Sequence, residues 1–94
     1  MRFQLREYTI EEGKLDDFAR EWRELVLPLR VAQGFNVLGP WVERAASRFV
    51  WIVGYDGDFE TANEAYYESD ERRAMEPDPA RLVVETRTTP LEAP

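Results

Sequence analysis

Arg48-Phe49-Val50-Trp51-Ile52-Val53-Gly54-Tyr55 decides how this chain reads. Side chains along an extended strand alternate between its two faces. Phe49, Trp51, Val53 and Tyr55 therefore share one face, and Val50, Ile52 and Gly54 share the other. A strand with one wet face alternates apolar with polar residues, and this one does not. It reads as a central strand buried on both faces. The sequence has 94 residues, enough for one domain. A chain of that size buries only roughly 60–65% of the surface it exposes when unfolded. Its own helices can cover one face of the sheet. A second copy of the chain is the simplest cover for the other.

Composition narrows the function classes. Hydrophobic residues make up 44% of the chain, ordinary for a globular protein. The formal net charge of −7 argues against nucleic acid or an anionic membrane as partner, since both call for clustered basic residues. There is no Cys and no His. Structural zinc, disulfides, thiol nucleophiles and Ser-His-Asp machinery are thereby excluded. The usual haem ligand and the usual neutral-pH base are missing too, and no cofactor is expected. No apolar run approaches the ~20 residues needed to cross a bilayer. Met1–Arg6 has no apolar signal core, which predicts a cytoplasmic protein.

Outward from the central strand, the elements fall in a simple order. Arg2–Ile10 reads as a strand with Phe3 and Leu5 on one face and Tyr8 and Ile10 on the other. That phase change predicts burial on both faces or a bulge near Glu7. A helix begins near Lys14, with Leu15, Phe18, Trp22, Leu25 and Leu29 as its apolar stripe and Val26 beside them. Pro28 removes the amide that would bond the Glu24 carbonyl and should kink the last turns. Gly34 suits the position just past the helix end. Phe35–Arg44 reads as an edge strand, with Phe35, Val37 and Trp41 on one face, interrupted at Gly39-Pro40. Arg44–Ser47 is a short hairpin loop into the central strand. Asp58 suits an N-cap for a second helix whose stripe is Phe59, Ala62, Ala65 and Tyr66. Ser69-Asp70 reads as a break or a new cap before Glu71–Met75, Pro77 and Pro79 end helical structure, and Arg81–Thr89 is the last strand. Strand, helix, strand, strand, helix, strand is the ferredoxin-like split βαβ pattern of an α+β fold. Right-handed crossovers place both helices on one face of a four-stranded antiparallel sheet. Burying the other face against a partner sheet would form a dimeric α+β barrel.

Several segments carry a family resemblance. Leu5–Ile10, Gly13–Phe18, Trp22–Leu29, Gly34-Phe35, Gly39-Pro40-Trp41, Arg48–Trp51, Tyr55-Asp56 and Tyr66-Tyr67 resemble the NIPSNAP family of the dimeric α+β barrel superfamily. The resemblance spans nearly the whole chain and implies a small homodimer. It brings no catalytic motif. Relatives by fold include antibiotic-biosynthesis-type monooxygenases, haem-degrading enzymes, muconolactone isomerases and chlorite dismutases. The resemblance implies ligands between sheet and helices, and the absence of His sets this chain apart from the haem-using branches.

Candidate site residues follow from side-chain chemistry. Tyr8, Trp22, Trp41, Trp51, Tyr55 and Tyr66 could line a pocket for a flat apolar or aromatic ligand, or serve as core and dimer interface. Arg6, Glu7 and Glu43 are charges on strands. In a closed cavity Glu7, with Tyr8 beside it, could act as a general acid or base. Cross-strand pairing with Arg48 or Arg87 is the structural alternative. Asp56, Asp58 and Glu60 lack the spacing of a calcium loop, and helix capping explains them better. Three functions stay open. The first is a homodimer of unassigned molecular function, binding a small molecule or associated with stress. The second is a cofactor-independent monooxygenase or isomerase acting on an aromatic or polyketide-like molecule. The third is a dimerisation or interaction module. A closed, aromatic-lined cavity of roughly 300 Å³ or more with Glu7 or Tyr8 pointing in favours ligand chemistry, and a filled interior with all charges at the rim favours the interaction module.

Overall fold

The computed structural model describes residues 1–94. Strand β1 (Arg2–Ile10) leads to helix α1 (Leu15–Glu21), which runs through a π-helical turn (Trp22–Val26) into α2 (Leu27–Ala32). Strands β2 (Asn36–Glu43) and β3 (Arg48–Tyr55) follow, joined by a 3₁₀ turn (Arg44–Ala46). Helices α3 (Phe59–Glu68) and α4 (Asp70–Arg73), a 3₁₀ turn (Pro79–Leu82) and strand β4 (Val83–Leu91) complete the chain. The sheet order is β2-β3-β1-β4 with every pair antiparallel. This is the expected α+β ferredoxin-like arrangement. No helix is long and apolar enough to cross a membrane.

Cross-strand partners share a face, so the register sorts the sheet. Arg6 opposite Trp51 and Tyr8 opposite Phe49 lie on the helix-covered side. Glu7 opposite Val50 and Leu5 opposite Ile52 lie on the open side. Phe49, Trp51 and Val53 are fully buried under the helices, with Phe18, Trp22, Phe35, Phe59 and Tyr66 packed over them. β1 pairs with β3 without a break from Arg2 to Thr9. The bulge predicted near Glu7 is absent there. The register shifts instead at Thr9/Ile10, against β4.

The sheet edge corrects one face assignment. Between Leu38 and Trp41 the β2–β3 register shifts, across Gly39-Pro40. Pro cannot donate to the ladder, and a bulge inverts the alternation that follows it. Trp41 therefore sits opposite Val50 on the open face, away from Phe35 and Val37. Its ring covers Gly39, where a Cβ would fall 2.8 Å from it. Trp41 and Leu38 are half exposed.

The first helix departs from its predicted stripe through the π turn. Residues four apart drift by about 40° per step around an α-helix. A π turn is wider, with hydrogen bonds from i+5 back to i, and here the Leu27 amide donates to the Trp22 carbonyl. Pro28, in the first turn of α2, has no N–H to give Glu24. The extra residue absorbs that loss where a kink was expected. Phe18, Trp22, Val26 and Arg30 then share one side, while Leu25 and Leu29 border a groove beside α4. The helix ends as predicted at Gly34 (φ +90°), where Phe35 and Gly34 amides donate to the Arg30 and Val31 carbonyls.

The second helical arm is capped twice. Asp58 accepts from the Thr61 amide at 3.1 Å and from its hydroxyl at 2.8 Å. Ser69 accepts from the Arg72 amide and starts α4. The predicted stripe of α3 holds at Phe59, Ala62 and Tyr66, but Ala65 is exposed. Asn63 takes the inward place beside Tyr66. The last strand begins two residues later than predicted, at Val83, because Leu82 closes a 3₁₀ turn.

Candidate functional site

Between the sheet and the helices lies a cavity of about 280 Å³. Phe18, Trp22, Val26 and Arg30 form one wall, and β1 and β3 give Arg6, Tyr8 and Trp51. Tyr66, Tyr67 and Arg72 close the side toward α3 and α4, and Pro79, Ala80, Val83 and Thr86 line the β4 side. No Asp or Glu is among these residues.

Two arginines sit at its centre. Arg6 is 6% exposed and Arg30 is 1% exposed. Asn63 and Tyr67 stand one helical turn apart on α3, so their oxygens converge on both guanidiniums. Asn63 Oδ1 accepts from Arg30 at 2.9 Å and from Arg6 at 3.2 Å. The Tyr67 hydroxyl accepts from Arg6 at 2.7 Å and from Arg30 at 3.3 Å. Gln4 takes the Arg6 Nε–H at 3.0 Å. Every one of these acceptors is neutral. Arg30 also lies over aromatic faces, with Cζ 3.7 Å from the Tyr66 ring centroid and 4.6 Å from that of Phe35.

Magnitudes show what this arrangement leaves over. Burying an unpaired ion costs several kcal/mol even after relaxation. A desolvated cation–π contact returns about 2 kcal/mol. Neutral acceptors and ring faces offset part of the cost of two buried cations and none of their net charge. Four buried polar atoms find no partner within the protein: Trp22 Nε1, Trp51 Nε1, Arg30 Nε and the Tyr66 hydroxyl. All four belong to residues lining the cavity.

The titrating groups respond to the same geometry. Burial pulls Arg30 below the usual guanidinium range, and the neighbouring Arg6 charge adds to that. Burial acts on Arg6 in the same direction, but Tyr8 and Tyr67 together outweigh it and leave the group raised. Burial pushes the Tyr67 phenol up, yet the Arg6 and Arg30 charges and the Arg6 hydrogen bond bring it below its ordinary value. The Tyr66 phenol goes the other way, raised by burial. Chemically, the cavity can hold negative charge against two guanidiniums and pack flat apolar groups against indole and phenyl faces. Tyr67 is its candidate proton-transfer group.

The residues singled out from sequence divide cleanly. Tyr8, Trp22, Trp51 and Tyr66 come together around the cavity. Trp41 stands on the open face of the sheet, and Tyr55 packs on Phe35, with ring centroids 5.1 Å apart, away from the cavity. Glu7 points to the open face and pairs with Arg48 at 3.5 Å, where Glu43 also approaches at 3.8 Å. It is not placed to move protons in the cavity. Arg30, Asn63, Tyr67 and Arg72 are the residues that pattern reading missed. Pro28 within a helical stripe was the available signal for Arg30, because it marks where the phase slips. Asn63 and Tyr67, four apart and flanking Tyr66, were the signal for the second.

No family model and no curated protein matches the chain. Solved structures do. A NIPSNAP domain protein from Burkholderia xenovorans superposes with a TM-score of 0.85 at 18% identity, covering 100% of this chain and 95% of that one. A NIPSNAP family protein from Agrobacterium tumefaciens gives 0.85 at 20% identity, covering 97% and 90%. A putative antibiotic biosynthesis monooxygenase from Nitrosomonas europaea gives 0.74 at 13% identity, covering 98% and 88%. The chain has the fold of the NIPSNAP proteins, which antibiotic biosynthesis monooxygenases share.

Proposed function

We propose that the chain acts as a small-molecule-binding protein, with its ligand in the cavity between sheet and helices. One observation carries this reading. The cavity of about 280 Å³ is walled by aromatic side chains, and four of its lining residues carry a buried polar atom with no protein partner. A core built only for stability would fill that space and satisfy those groups. The volume sits just under the roughly 300–1,000 Å³ span of small-molecule pockets. The test is a crystal structure of the protein as purified, with the interior density examined. Density for a small molecule against Trp22 and Trp51 supports the reading. An interior closed over by repacked side chains overturns it and shifts the weight to an interaction module.

The working unit is a homodimer formed through the open sheet faces, in the cytoplasm. Leu38, Trp41, Val50 and Ile52 lie together on that face, and Leu38 and Trp41 are about half exposed. A patch of this kind on a one-sided sheet favours self-burial. A second reading is a cofactor-independent isomerase or monooxygenase acting on an aromatic molecule. The Tyr67 hydroxyl between two guanidiniums favours it, since that phenol is the group poised to exchange a proton there. A Y67F variant that binds ligand as tightly as wild type but loses turnover would support the enzyme over the binding protein.

A further inference from the structure

We propose that the cavity takes a small aromatic monocarboxylate, its carboxylate held between Arg6 and Arg30 and its ring against Trp22 and Trp51. This rests on the reading of the cavity as a small-molecule site and names the ligand class. The first support is a contrast among the arginines. Arg2, Arg20, Arg44, Arg48, Arg72 and Arg81 each reach a carboxylate within 4.0 Å. Arg23, Arg73 and Arg87 reach none but are exposed to solvent, whereas Arg6 and Arg30, the most deeply buried of all, reach none. In a chain of net charge −7, acids were abundant, and the fold sets none of them against this pair.

The second support is the kind of atom left unpartnered. Trp22 Nε1, Trp51 Nε1 and Arg30 Nε are donors with no accepting capacity. Their unpartnered N–H dipoles add to the positive field of the two guanidiniums, which favours a negatively charged ligand. A carboxylate matches a guanidinium fork with two parallel hydrogen bonds, and such charge-assisted bonds are the stronger kind. The third support is the remainder of the wall. Phe18, Val26, Pro79 and Val83 fit a flat apolar body, with Tyr8, Arg72 and Thr86 as the polar groups beside them. The volume limits that body to one or two rings.

Isothermal titration of the full chain with 2-naphthoate, with the neutral 2-naphthalenemethanol and with inorganic phosphate tests the proposal. The carboxylate should bind at least about tenfold more tightly than the alcohol, and phosphate should not bind. R6Q should bring the carboxylate down to the affinity of the alcohol and leave the alcohol unchanged. R6K, which keeps the charge without the fork, should fall between and serves if R6Q does not fold. Equal affinity for carboxylate and alcohol overturns the anion while leaving the small-molecule reading in place. No binding of either ring compound overturns both. Phosphate binding that displaces naphthoate overturns the aromatic requirement. Full discrimination retained in both Arg6 variants overturns the assignment of the arginine.

Discussion

Arg6 and Glu7 are neighbours on β1 and belong to opposite faces of one sheet. Glu7, on the open face, meets Arg48 at 3.5 Å across the strand pair. Arg6, under the helices, meets Asn63, Tyr67 and Gln4 and no acid at all. The partly exposed charge is compensated and the buried one is not, which is the reverse of what stability alone would arrange. Elsewhere the molecule follows the ordinary rule. Buried Glu21, on α1, takes both guanidinium branches of Arg81, at 2.7 and 2.9 Å. The helix-covered face thus joins a packed core to two buried charges without an acid, while the charge on the open face is paired.

The largest effect comes from breaking the face that packs. Val53 is fully buried on the helix side of β3. V53D places a carboxylate among Phe and Trp rings and should cost more than about 4 kcal/mol. Against a typical total of about 5–15 kcal/mol, most molecules should unfold, as circular dichroism and urea titration would show. Its neighbour Ile52 faces the open side, opposite Leu5 and Leu38. I52D should leave the protomer folded and weaken the proposed dimer by about 3 kcal/mol, more than 100-fold in dissociation constant. Light scattering after size exclusion reads the mass. A folded I52D dimer of unchanged affinity would show that this face is not the interface.

These neighbours also show what could be read from the residues alone. The unbroken apolar run Phe49–Val53 was enough to place β3 centrally, and the caps at Gly34 and Asp58 were legible from local chemistry. The same run hid which face the helices cover, because both faces are apolar. Arg6 and Glu7 were therefore equal candidates for the interior. Two further misreadings share one physical origin, a single inserted residue. At Gly39-Pro40 it turns Trp41 onto the open face. In the π turn ahead of Pro28 it brings Arg30 inward where a 3.6-residue period points Leu29. Periodicity carries across an element only while the hydrogen-bond ladder is regular, and the helical wall of the cavity is built at one such slip, the π turn.

A smaller effect sharpens the contrast by removing charge. R30M substitutes an unbranched apolar chain for a cation that is 1% exposed and has no acid partner. Relief of the burial penalty opposes the loss of the ring contacts and of bonds to Asn63 and Tyr67, both of which keep Arg6. The unliganded protein should be unchanged or more stable by about 1 kcal/mol in urea. A core arginine kept for stability would give the opposite result, a loss above about 2 kcal/mol. A stabilised R30M would mean the cation is retained for what enters the cavity, the usual trade between stability and function.

The finest test lies on α3, where Tyr66 and Tyr67 are adjacent and shifted in opposite directions. Burial raises the Tyr66 phenol, while for Tyr67 the charges of Arg6 and Arg30 overcome burial and lower it. In an alkaline titration followed by tyrosinate absorbance, Y67F should delete a step below the ordinary phenol value of about 10, and Y66F one above it. The stability signs follow by linkage. A depressed folded pKa adds stability as pH rises from that value toward about 10, so the advantage of wild type over Y67F should grow across that window. A raised folded pKa gives a contribution complete below about 10 and lost as pH climbs through the folded value, so the advantage over Y66F should shrink there. The two residues share a helix and a cavity but differ in exposure and in their bonds to the guanidiniums, Tyr66 being 1% and Tyr67 44% exposed. If Y67F leaves the lower part of the curve untouched, the arginine pair does not govern this phenol. Its charge would then remain available for an anion from outside the chain, without competition from Tyr67.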